Sequence, residues 1–304
     1  MNNKEICIIR AKLKKDYVYD AISHYGYYIQ TPYTGNSLVF RIFREIWFRF
    51  NLPFKKIWYR KINKAPSIKW IILFDPLMTS DYIEWLHSKR SDCKILLIYE
   101  NRADKTIRPD TVPEYVEKWS YDGDDCKQYS MNKFKPVFFL EYKRAPKTSS
   151  KYDVLYLGRD KGRADFIFKF EKQLHDMGLK TYFHICADRQ FLRFKKRYYQ
   201  KLLTYDEYLE LLIDSKAILN IVPEGQSSVT QRELEAAFNG VKCITNNKGI
   251  KNFPLYDKSI FFLIGEDDIN KIPDFLSSDI KVYDYEILAN YDFSKNIEQF
   301  VGIK

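Results

Sequence analysis

No cysteine pair in this chain has the spacing of a disulfide frame or a zinc site. The five cysteines, Cys7, Cys93, Cys126, Cys186 and Cys243, are odd in number, widely spaced and without a C-x-x-C. All but Cys126 lie in or beside apolar, strand-like runs, the pattern of free thiols in a reducing compartment. The N-terminus, MNNKEICIIRAKLKK, lacks the apolar core of a secretory signal. No apolar run approaches the roughly 20 residues of a membrane span. A cytoplasmic protein is expected, with peripheral association at the inner face of the cell membrane left open. Internal repeats and low-complexity linkers are missing too. Neither G-x-G-x-x-G nor a Walker A loop occurs, so the common glycine-rich nucleotide cradles are excluded.

What is present fits a folded two-domain chain. Its 304 residues suit two domains of ordinary size. Hydrophobic residues make up 45% and aromatics 17%, enough for a packed core and against global disorder. The net charge of +10 suits a polyanionic partner: nucleic acid, an acidic membrane surface or a phosphorylated small ligand. Simple solubility explains it equally. No RNA-binding fold signature accompanies the charge, so no nucleic acid partner is expected.

Short apolar runs alternate with amphipathic ones. KEICIIRA, WIILFDP, KILLIYEN and VEKWSYD read as strands, and SDYIEWLHSK as a helix. The rhythm weakens between residues 134 and 151, where prolines, charges and a Ser-Ser pair gather, and the domain boundary is placed there. It then restarts with the strand YDVLYLG and the helix RADFIFKFEKQLHDMG, whose Gly178 suits a C-cap. KTYFHICAD, AILNIVP, VKCITNN and SIFFLIG read as further strands, with helices at TYDEYLELLIDSK, behind Thr204, and at DDINKIPDFLSS. Fully apolar strands alternating with helices predict parallel sheets covered on both faces. The expected fold class is α/β, two Rossmann-like doubly wound domains facing across a cleft.

Two loops carry candidate chemistry. In YLGRDKGR, Gly158 ends a strand and permits a sharp turn into a helix, whose N-terminus favours an anion. Arg159, Lys161 and Arg163 add charge where a diphosphate would sit, with Asp160 between them. A solvated turn is the alternative. In GQSSVTQRELEAAFNGVKCITNN, Gly225, Ser227, Ser228 and Thr230 offer donors at a helix start. A capping box explains Thr230 and Glu233. It does not explain Arg232 and Glu235, which share a helix face; otherwise they form a surface ion pair of little worth. The arginine suits phosphate, and the carboxylate suits ribose hydroxyls.

That second stretch resembles the signature of bacterial glycosyltransferases with the GT-B fold, found in capsule, O-antigen and exopolysaccharide gene clusters. The match runs through Gly225, Gln226, Ser227, Thr230, Arg232, Glu235, Ala236, Ile244, Thr245 and Asn247. Ser228 and Val229 depart from the usual Gly and Leu. LGRDKGR and KWSYDGDDCKQY resemble other motifs of that family. The resemblance implies an acceptor-side domain over residues 1–140 and a nucleotide-sugar domain over 141–304, with the last residues free to pack back on the first. It implies a nucleotide-diphosphate-sugar donor held by Gly158, Arg159, Asp160, Lys161, Arg163, Gln226, Ser227, Thr230, Arg232 and Glu235. The acceptor would be a saccharide, lipid-linked. Neither a metal nor a cofactor is called for, because basic residues neutralise the leaving diphosphate.

Three further features are weighed beside it. Asp122 and Asp124 in DGDD form a D-x-D, the manganese signature of the other glycosyltransferase class, GT-A, yet Asp-Gly-Asp-Asp is also ordinary turn chemistry. Asp75 and Glu100 each end an apolar strand and are the candidate catalytic bases, while His184, inside an apolar strand, reads as core. Residues 38–62 carry seven basic residues and one acid, with apolar side chains at helical spacing. They read either as a helix lying on an anionic membrane or as a core helix with snorkelling arginines. A non-catalytic module on the same scaffold is the rival from another functional class.

Overall fold

The computed structural model describes residues 2–12, 16–35, 37–223 and 226–302, and the side chains of all of these but residues 190 and 191. Gly225 therefore lies outside the described residues. The chain divides into two compact units, Met1–Lys135 with Phe293–Lys304, and Pro136–Asp292. Both are α/β, each a parallel sheet flanked by helices.

The first unit contains β1 (Ile6–Ile9), α1 (Tyr17–His24), β2 (Tyr28–Gln30), α2 (Leu38–Arg49), β3 (Trp70–Phe74), α3 (Ser80–Lys89), β4 (Lys94–Tyr99), β5 (Glu117–Ser120), α4 (Gly123–Tyr129) and β6 (Asn132–Lys133). Its sheet order is β2-β1-β3-β4-β5-β6. Strand register sets Ile71 against Ile95 and Leu73 against Leu97. These side chains pack on one face with Tyr82, Ile83 and Leu86 of α3. Ile72 and Leu96, one residue along, are fully buried as well, as the continuous apolar runs require of strands covered on both faces.

The second unit contains β7 (Tyr152–Arg159), α5 (Ala164–Asp176), β8 (Thr181–Cys186), α6 (Tyr205–Ile213), β9 (Ser215–Asn220), α7 (Gln231–Asn239), β10 (Lys242–Thr245), β11 (Phe261–Leu263), α8 (Ile272–Ser277) and α9 (Tyr285–Ala289). The sheet runs β11-β10-β9-β7-β8. Along β7, Val154 and Tyr156 join Ile167 and Phe170 of α5 on one face. Leu155 joins Leu209 of α6 and Leu234 of α7 on the other. Helices on opposite faces make this a doubly wound sheet. The last helix, α10 (Phe293–Phe300), returns to the first unit, where Phe300 meets Trp119 and Phe134 edge-on.

Two expectations need correction. Gly158 does not make the turn after β7, since the strand runs on to Arg159. The turn is made by Lys161 (φ 47°) and Gly162 (φ 75°), both in the left-handed region. The core-helix reading of residues 38–62 also fails. A helix does form over Leu38–Arg49, but its apolar stripe is exposed, and the residue it buries is Arg44. The cysteines form no disulfide.

Candidate functional site

In the second unit, β7 has its successor β8 on one side and β9 on the other. At such a reversal the loops leave the sheet in opposite directions, and a crevice opens at the carboxyl ends of the strands. Four cationic side chains converge there. Arg163 lies in the turn before α5 and donates to the carbonyls of Ile221, past the end of β9, and of Arg159. Arg232, from the first turn of α7, donates to the Leu157 carbonyl and sits 6.0 Å from the centre of the Tyr156 ring. Arg159 donates to the Asp188 carbonyl at 2.7 Å, and the Lys161 backbone N–H donates to the Asp188 carboxylate at 2.9 Å. Desolvation, then the charges of Arg163, Arg232 and Arg159, hold the Lys161 pKa below its ordinary value.

Gly158 has a role here that its sequence position did not disclose. A Cβ on it would lie 2.8 Å from the Tyr156 hydroxyl and 3.0 Å from the Arg232 guanidinium. Glycine is what lets that guanidinium reach β7. The Tyr156 hydroxyl is buried and has no hydrogen-bond partner among the described residues; burial raises its pKa, and the charges of Arg163 and Arg232 oppose the rise. Burying an unsatisfied hydroxyl costs about 1–3 kcal/mol, and an anion held by the arginines is the kind of acceptor that would satisfy it. The Asp160 carboxylate is held by neutral donors. It accepts from Ala164 N–H at 3.0 Å, Tyr199 at 2.6 Å and Tyr198 at 3.2 Å. Burial alone would raise its pKa, but these hydrogen bonds, led by Tyr199, bring it below the ordinary carboxylate value.

The start of α7 is fixed by its neighbours. Thr230 and Glu233 form the expected capping box. Glu233 does more than cap: it is fully buried and accepts from Asn220 at 3.1 Å, Thr245 at 3.0 Å and Asn247 at 3.0 Å. One carboxylate thus ties together the ends of β9 and β10 and the start of α7. Burial raises its pKa, and the donors oppose the shift. The Gln226–Ser228 segment is held by Asn247, which donates to the Ser228 carbonyl at 3.0 Å. A Cβ on Gly249 would overlap the Ser227 carbonyl, so only glycine fits there. Ser227 is exposed, and Gln226 half-buried, its N–H donating to Pro223. Asn220 was not singled out from the sequence. Its signal was a polar residue inside the otherwise apolar run AILNIVP.

Glu235 is not part of a surface ion pair. It is 2% exposed, and its two oxygens accept from the hydroxyls of Tyr205, at 2.8 Å, and Tyr208. Burial raises its pKa, and the two tyrosines oppose that rise. Arg232 and Glu235, the pair the capping box left over, thus have different neighbours: a strand carbonyl for one and two tyrosines for the other. A ribose diol at Glu235 would have to replace a tyrosine.

At the equivalent edge of the first unit stand Asp75 and Glu100, just past β3 and β4. Asp75 is 1% exposed, accepting from Glu100 N–H at 2.8 Å and Asn101 Nδ2 at 3.0 Å. Burial, then the Glu100 charge, push its pKa up to about 7. Glu100 pairs at 3.1 Å with Arg10, which also binds Asp16 at 2.7 Å. Burial raises the Glu100 pKa against the pull of Arg10. Asp75, Asn101, Thr106 and Arg108 line an open recess of about 680 Å³. His184 is buried, its Nε2 2.8 Å from the Lys201 carbonyl. Asp122 caps α4, accepting from the N–H groups of Asp124 and Asp125, while Asp124 is exposed. Among the described residues no group of three or more His, Cys, Asp or Glu side chains is placed to hold a metal ion. In comparisons with known proteins, the chain matches no protein-family model and no curated protein.

Proposed function

We propose that this protein is a glycosyltransferase of the GT-B kind, moving a sugar from a nucleotide-diphosphate-sugar to a saccharide acceptor, lipid-linked, in surface polysaccharide assembly. The observation that carries the reading is the cluster of Arg159, Lys161, Arg163 and Arg232, with Arg163 and Arg232 beside a Tyr156 hydroxyl that has no hydrogen-bond partner among the described residues. Cations at the carboxyl edge of a doubly wound sheet suit a diphosphate. They would stabilise the charge that develops as the bond from the anomeric carbon to the diphosphate oxygen breaks. On the first unit, Asp75 is the proposed base. A carboxylate with a pKa near 7 is matched to taking the proton of an acceptor hydroxyl as its oxygen bonds to the anomeric carbon. The transfer is proposed to need no metal.

Calorimetry of the full chain with the common nucleoside diphosphates tests the donor site. Binding is expected, and Arg232→Ala should weaken it at least tenfold, the loss of about one charge-assisted hydrogen bond. Binding unchanged in Arg232→Ala would sink the assignment. Turnover of a nucleotide-sugar that survives chelation would dispose of a GT-A reading through Asp122 and Asp124. A non-catalytic module would bind the diphosphate yet show no turnover that responds to Asp75→Asn.

A further inference from the structure

The helix α2 is built inside out. On its inner side Arg44 is 5% exposed and lies 4.6 Å from the centre of the Tyr33 ring. Phe48 packs edge-on against Tyr33 and Tyr59, at 5.4 and 6.5 Å. On its outer side Val39, Ile42, Phe43, Ile46 and Phe50 recur at helical spacing, each at least 44% exposed. An amphipathic helix normally turns such a stripe toward the core. Here the anchor is a cation over an aromatic ring, and the apolar stripe stays exposed among the described residues.

The loop that follows extends the same surface. Phe54 is 78% exposed and sits at φ 61°, a conformation costly for a bulky side chain. The Trp47 indole N–H donates to the Pro53 carbonyl at 2.7 Å and holds this loop to the helix. Folding alone does not reward a strained backbone that presents an aromatic ring to water. Within residues 38–62, Arg49, Lys56 and Lys61 are exposed, and Glu45 is the one acid.

We propose that α2 and the loop through Phe54 dock this protein on an anionic lipid bilayer, the apolar and aromatic side chains entering the interface and the basic ones meeting the headgroups. Apolar area with surrounding lysine and arginine is what such a surface retains. The charge also decides against a second copy of this chain, because self-pairing would set two strongly basic segments against each other. The inference uses only the first unit's surface and stands whatever the donor site binds.

The test is co-sedimentation of the full chain with vesicles. It should bind vesicles of equal parts phosphatidylglycerol and phosphatidylcholine, far more weakly those of phosphatidylcholine alone, and less as salt rises. The double variant Ile42→Ser, Phe43→Ser changes exposed side chains, so its melting temperature should hold while binding falls to background. Arg49→Glu with Lys56→Glu should weaken binding by about tenfold or more. Three results would overturn the proposal: no binding to the anionic vesicles, equal binding to both compositions, or undiminished binding by the double serine variant. A dimer seen by light scattering that the serine variant abolishes, without vesicle binding, would assign the stripe to self-association instead.

Discussion

The backbone N–H of Glu100 donates to Oδ1 of Asp75 at 2.8 Å, so the end of β4 supports the carboxylate that follows β3. The support is partial. Burial and the nearby Glu100 charge still leave the Asp75 pKa at about 7. Between the ordinary aspartate value of 3.8 and about 7 the folded chain keeps a proton that the unfolded chain has lost. Stability contributed by this group therefore falls as pH rises through that window. Asp75→Asn should remove the slope and be the more stable form at about pH 8, by about 1–4 kcal/mol, with little gain at about pH 4. Urea denaturation at the two pH values measures it.

The same residue sets an expectation for rate. A base must be unprotonated to act, so kcat for sugar transfer should rise through about pH 7. Asp75→Asn should lose that limb and most of the rate. A pH–rate profile that kept the limb in the variant would move the base elsewhere.

Gly158→Ala separates packing from binding. The added Cβ would crowd the Tyr156 hydroxyl and the Arg232 guanidinium. A stability cost of about 1–3 kcal/mol is expected, with a larger proportional loss in nucleoside diphosphate affinity because the guanidinium is displaced. Thermal melting and calorimetry on one preparation compare the two.

Glu235→Ala should cost stability. It leaves the hydroxyls of Tyr205 and Tyr208 without the carboxylate they now share. A loss of about 1–3 kcal/mol is expected, and Tyr208→Phe should reproduce part of it. Denaturant midpoints of the two variants, and of the pair combined, would show non-additive losses.

The strands and most helices were legible because their signals are local. SDYIEWLHSK forms the helix Ser80–Lys89 read from its pattern, Thr204 caps α6 as expected, and Thr230 caps α7 through the expected box. Continuous apolar runs disclosed parallel strands. Short elements such as β2 and β6 escaped, because three or two residues carry too little periodicity. Within the candidate site, the charges of YLGRDKGR and the unexplained Arg232 were visible in the sequence. The hub at Glu233 was not, since Asn220, Thr245 and Asn247 come from separate strand ends.

The sequence by itself determined the α/β class, the parallel strands, the helix caps and the basic character of residues 38–62, because each depends on neighbours a few residues apart. Only the tertiary structure decided which way those elements face. It turned the stripe of α2 outward by burying Arg44 against Tyr33, gave Glu235 to two tyrosines, and made Gly158 a matter of space beside Arg232. Each of these rests on residues distant in the chain, and periodicity shows that a face is apolar without naming what lies against it.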